Sequence, residues 1–141
     1  MEKFAGLIPA DLAVGVLWPS ICALLEQAMP YGRGEYTLDD IRAGIEKREM
    51  MAIGVFDEHA QAEFVATCSV VNYPRKRVLY IQYGAGKDGA QLRTVVSDVA
   101  KSLGCDWIET RCRYAVAKLY RRNGFDIGYC VPILEIEHEA F

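Results

Sequence analysis

Residues 78–104 read VLYIQYGAGKDGAQLRTVVSDVAKSLG, and this stretch decides the fold. Val78–Tyr83 is β-branched and aromatic, the composition of a strand. Gly84 to Gly89 follows as a glycine-rich loop. Leu92, Val95, Val96, Val99, Ala100 and Leu103 then fall at i, i+3, i+4, i+7, i+8 and i+11, a single apolar stripe along one helix. Gly104 stands where a helix ends in a left-handed residue. Trp107–Cys112 is the next strand. Strand, loop, helix, strand is a crossover unit, so 78–83 and 107–112 are expected to run parallel.

Working toward the N-terminus, Ala62–Tyr73 and Met50–Phe56 are strands separated from each other and from Val78 by the turns 57–60 and 74–77. Three strands in meander order predict an antiparallel first half of the sheet. Thr37-Leu-Asp-Asp40 reads as a capped helix start, with the helix running to about Arg48. The glycines of Pro30-Tyr-Gly-Arg-Gly-Glu-Tyr36 mark a loop. Leu12–Trp18 is apolar and helical, but Pro19 cannot sit inside a straight helix. Either two short helices with Pro19 in the first turn of the second, or one bent helix ending near Met29, satisfies it. Residues 4–8 form a short strand. Toward the C-terminus, Ala115–Arg122 is a short helix ended by Asn123-Gly124, and Ile127–Ile136 is a last strand with an edge free to pair with a second copy in a homodimer. The expectation is an α/β fold, a mixed sheet flanked by helices, in a single domain over 1–141.

Composition narrows the function classes. The chain has 141 residues, 52% of them apolar, enough for its own core. Its apolar runs are too short to span a bilayer, and no signal-peptide pattern opens it, so no membrane role and a cytoplasmic setting are expected. Five widely spaced cysteines and two isolated histidines offer neither a disulfide framework nor a metal site. Net charge is −3, but residues 73–123 hold eleven Lys/Arg against four Asp/Glu. A basic segment on an acidic chain suits one anionic ligand better than a nucleic acid.

Two places carry a family resemblance. The strand–loop–helix of 78–103 is one. The other is Ala117-Lys-Leu-Tyr-Arg-Arg-Asn-Gly-Phe125, a short helix with a Leu-Tyr pair followed by Gly-Phe. Together they resemble the GNAT superfamily of N-acyltransferases, and the element order agrees over nearly the whole chain. Trp18-Pro19, the segment Gly34–Ile41 and Tyr73-Pro-Arg75 also resemble small GNAT-like proteins encoded by phages and prophages. The resemblance implies a GNAT-like fold, acetyl-CoA as co-substrate and an unidentified amine as acceptor.

The same resemblance assigns roles. Tyr83, Gly84, Ala85, Gly86, Lys87, Gly89 and Ala90 would hold the pyrophosphate. A helix N-terminus leaves amides without partners, glycines let the backbone come close, and Lys87 adds a cation. The same corner can instead be closed by Asp88 and Gln91 as a capping box, in which Asp88 occupies those amides. Arg121 would meet the 3′-phosphate of CoA, or simply complement the end of its helix. Tyr120 would protonate the leaving thiolate, or be a core tyrosine. Glu109 is the nearest candidate base, or an ion-pair partner of Arg111 or Arg113. Cys112, between those arginines, is a further candidate nucleophile or a buried thiol. Tyr73, Tyr80, Tyr83, Tyr114, Tyr120 and Tyr129 are candidates to line an aromatic pocket. Direct acyl transfer to an amine is the leading reading, and a non-catalytic GNAT-fold component of a phage particle is the alternative.

Overall fold

The computed structural model describes residues 2–86 and 90–138. Five strands form one sheet in the order β1 (Phe4–Ile8), β2 (Met51–Phe56), β3 (Ala62–Asn72), β4 (Arg77–Gly86) and β5 (Trp107–Thr110). The first four are antiparallel neighbours, and β5 runs parallel to β4. The mixed sheet and its crossover are as the residue pattern predicts.

Helices cover both faces. On one side α1 (Ala10–Val14), α2 (Trp18–Ala28) and α3 (Leu38–Glu46) bury Ala13, Ile21, Leu25, Ile41 and Ile45 against Ala52, Phe56 and Val65. On the other, α5 (Val95–Ser102) sets Val96, Val99 and Ala100 on Ile53, Phe64, Ala66, Leu79 and Ile81. Pro19 lies in the first turn of α2, where its missing N–H costs nothing, so the two-helix alternative holds. Thr37 caps α3 as its position predicts. Its hydroxyl accepts from the Asp40 amide at 3.1 Å, and the Asp40 carboxylate accepts from the Thr37 amide at 2.8 Å. The Thr37 backbone amide first, and the Thr37 side chain second, hold the Asp40 carboxyl below the usual carboxylate range.

Four expectations are corrected. Gly84, Ala85 and Gly86 are not loop but the end of β4, facing Ala66, Val65 and Phe64 across the sheet. The small residues there let β3 and β4 approach, which an apolar count over 78–83 does not see. The helix of 90–103 is interrupted at Thr94 between α4 (Ala90–Arg93) and α5. The Thr94 hydroxyl lies 3.2 Å from the Ala90 carbonyl, a back-bond that disturbs helices. The strand at 107–112 stops at Thr110, leaving Cys112 exposed in irregular chain. The segment 127–136 is not a strand. Pro132 lacks the N–H a ladder needs, and Tyr129, Leu134 and Ile136 stand in solvent. Lys87, Asp88 and Gly89, with the capping box proposed for Asp88, lie outside the described residues. No helix of the described residues is long and apolar enough to cross a membrane.

Replacing Thr37 by Ala removes one half of the reciprocal cap. It should lower the unfolding free energy by about 1 kcal/mol in urea titrations while leaving the far-UV spectrum unchanged.

Candidate functional site

The site begins with one extra residue. Thr67 faces Tyr83 and Cys68 faces Ile81, so Gln82 has no opposite number and forms a bulge in β4. A bulge bends its strand and sharpens the local twist. Beyond it β4 leaves β5. Pairing covers only Val78–Ile81 with Trp107–Thr110, while β4 continues to Gly86 on β3 alone. The two strands therefore form a fork. At the last rung the Thr110 hydroxyl donates to the Ile81 carbonyl at 3.2 Å.

Tyr120 stands at the apex of that fork. Val116 ends a 3-10 turn, and α6 (Ala117–Arg122) turns Tyr120 inward onto Phe125, ring centres 5.3 Å apart. Gly124, at φ 88°, then makes the turn. Burial pushes the Tyr120 hydroxyl above the ordinary tyrosine range, against a hydrogen bond with the Thr110 hydroxyl that pulls it down. The ring packs against the second core, with Thr110 among the groups that act on its hydroxyl.

The opposite face of the fork is lined differently. Tyr80 and Glu109 face each other in register on adjacent strands. Tyr36 meets Tyr83 edge-on at 6.0 Å, and a side chain on Gly32 would come within 3.1 Å of the Tyr83 hydroxyl oxygen. The loop after α2 thus lies on β4 because Gly32 has no Cβ. Burial first, then the nearby Glu35 carboxylate, keeps the Tyr83 hydroxyl high. Burial likewise raises Tyr80, with Arg111 opposing and Glu35 and Glu109 adding to it. Gln82 donates through its amide nitrogen to Ser69 Oγ at 2.8 Å, and Ser69 donates on to the Glu49 carbonyl at 3.1 Å. The chain of donors fixes the amide so that Gln82 Oε1 is buried without a hydrogen-bond partner among the described residues.

The residues assigned from sequence fall in three places. Tyr83, Gly84, Ala85 and Gly86 end β4, and Ala90 opens α4. Lys87 and Gly89 lie outside the described residues. Arg121 is exposed on α6 with no ion pair among the described residues. Glu109 forms no ion pair with Arg111 or Arg113. The Tyr83 amide donates to Thr67 Oγ1 at 3.2 Å and its ring is packed under the loop, so neither opens on the fork. Tyr73 is half exposed and Tyr129 stands in solvent, apart from any aromatic pocket. Tyr31, Glu35 and Tyr36 join the site from a segment read only as a loop. The available signal was a pair of tyrosines bracketing Gly32 and Gly34.

The two glycines of β4 have opposite surroundings. A Cβ on Gly84 would meet nothing within 4 Å among the described residues. A Cβ on Gly86 would fall 2.6 Å from the Glu63 carbonyl oxygen and 2.9 Å from Phe64 Cα, on a backbone at φ 152°. Gly86 is there for β3; Gly84 leaves room for something else. This side of β4 lies next to an edge that has no partner strand among the described residues beyond Ile81.

No family model and no curated protein matches the chain. Solved structures do. Aminoglycoside N-acetyltransferase AAC(6')-Iy in complex with CoA superimposes with TM-score 0.70 at 12% identity, over 97% of this chain and 96% of that one. The Arabidopsis thaliana glucosamine-6-phosphate N-acetyltransferase gives TM-score 0.61 at 16% identity, over 96% and 99%. A Trypanosoma brucei acetyltransferase gives 0.64 at 13%, over 96% and 100%. The chain therefore has the fold of the GNAT acetyltransferases.

Gly86→Ala should cost about 1–3 kcal/mol, as forced contacts do. Gly84→Ala should leave the melting temperature within about 1 °C. Parallel thermal scans of the two variants check the contrast.

Proposed function

We propose that the protein is an acyl-CoA-dependent N-acetyltransferase that carries an acetyl group directly to an amine. The observation that carries this reading is the fork between β4 and β5 with the Tyr120 hydroxyl at its apex and Gly84 uncrowded among the described residues. The fold likeness to a CoA-bound acetyltransferase supports it. Acetyl-CoA, when bound, supplies the acetyl group as a thioester. The β4 edge beyond Gln82 aligns the carrier as an added strand would be aligned, and Gly84 makes space for it. Tyr120 is protonated at neutral pH like any tyrosine, burial raises its hydroxyl further, and it stands ready to pass its proton to the departing sulfur. Glu109, on the other face, takes the proton that the ammonium must shed before nitrogen can form its new bond to the acetyl carbon. Arg121 on α6 supplies charge toward the nucleotide end. The phage-borne binding component is the competing proposal; the exposed apolar segment 127–136 favours it, since such surface marks interaction sites.

Acetyl-CoA at millimolar concentration should raise the melting temperature by several degrees, because a ligand of the native state stabilises it by mass action. Gly84→Val should remove that shift while the unliganded protein melts as before. No shift with acetyl-CoA, CoA or longer acyl-CoAs would leave the binding-component reading.

Tyr120→Phe should keep the acetyl-CoA shift and lower turnover by about two orders of magnitude, the usual contribution of a placed acid. Turnover equal to the parent protein would take Tyr120 out of the chemistry. Release of free CoA thiol in a stopped assay reads it.

A further inference from the structure

Glu109, Arg111 and Arg113 alternate along the chain that leaves β5, and Glu109 shares its sheet face with Tyr80. Arg111 rests its guanidinium 5.8 Å from the centre of the Tyr80 ring. Arg113 lies 3.9 Å over the Tyr31 ring. Neither has a carboxylate partner among the described residues, whereas Arg33 beside them is held by Glu135 at 2.8 Å. Stacking uses the face of a guanidinium and leaves its edge of N–H donors free. A tyrosine ring beneath also fixes the plane, so less freedom is lost when the edge is bonded. Two such edges, two residues apart in sequence and so at most about 7 Å apart at the backbone, can close on one anionic group.

A cationic pocket is the natural competitor, since tyrosines and carboxylates gather here. It is the weaker reading. The faces of Tyr80 and Tyr31 that a ligand cation would seek already carry guanidinium groups. What remains unsatisfied is a pair of donor edges, and beside them the Glu109 carboxylate, which no cation holds.

We infer that the acceptor is an amine bearing an acidic group a few bonds from its nitrogen, with the carboxylate or phosphate clamped by Arg111 and Arg113 and the amino group beside Glu109. This rests on the acetyltransferase reading and narrows its substrate. Lysine-rich peptides and polyamines, which bring more positive charge, are excluded by it.

The test compares matched acceptors with acetyl-CoA in excess: amino acids against their carboxamides, and phosphoethanolamine against ethanolamine. The acidic member of the preferred pair should win by at least about tenfold in kcat/KM, since a charge-assisted bond carries that much. Which pair responds tells carboxylate from phosphate. Arg111→Gln and Arg113→Gln should each erode the preference toward equality while the melting shift with acetyl-CoA persists. Arg111→Lys should restore only part of it, because an ammonium lacks the two-pronged edge. Neutral or more cationic members that react as well as the acidic ones, in a protein that still binds acetyl-CoA, overturn this inference alone. Absence of any acetyl-CoA shift overturns the transferase reading instead. In that event the Nε–Hε resonances of Arg111 and Arg113 decide: movement on adding glycine or phosphoethanolamine keeps the anion clamp, and no movement ends it.

Discussion

The molecule's architecture turns on the bulge at Gln82. A strand alternates its side chains between faces, so residues three apart normally point to opposite sides. The extra residue resets that alternation, and Tyr80 and Tyr83 come to share one face. The same bend takes the end of β4 away from β5 after only four rungs. One insertion therefore makes both the fork and the tyrosine-lined wall beside it. Its cost is visible in the Gln82 amide, whose oxygen is buried without a partner among the described residues.

The fork separates two environments. Toward α5 and α6 the surroundings are apolar, with Leu79, Ile81 and Phe125 around the Tyr120 ring. Toward the loop after α2 they are polar and aromatic, with Glu35, Glu109, Arg111 and four tyrosines. A desolvated hydroxyl on one side and ionised groups on the other is the division that acyl transfer to an amine requires. Under the proposed transfer, the acid stands on the low-polarity side and the base on the charged side.

Much of this was legible in the residues. The β-branched composition of β2 to β4, the stripe from Val95 to Leu103, the Thr37 cap and the parallel crossover are patterns of the sequence, and the structure has each of them. Tyr120 and Glu109 were singled out through the family resemblance, and the structure places them on α6 and β5. The tyrosine wall was not found, because Tyr31 and Tyr36 reach β4 only through a loop whose path is set by tertiary contact. The length of β4 was misjudged because glycine in a strand looks like a turn until the neighbouring strand is in place. Residues 127–136 carry the composition of a strand, yet they have no ladder to join; β composition describes a surface that packs, and here nothing packs on it.

Gly86 illustrates how a motif can outlive its purpose. Its missing side chain already answers to the Glu63 carbonyl and Phe64 on the neighbouring strand. A chain of this fold would need glycine at 86 to stay folded whether or not it bound a phosphate, and would display that half of a glycine signature either way. Position 84 has no such obligation: there selection for a ligand, or its relaxation, is free to show. Surveys that diagnose activity in this fold from the glycine pattern will therefore overcount unless they weigh the two positions differently.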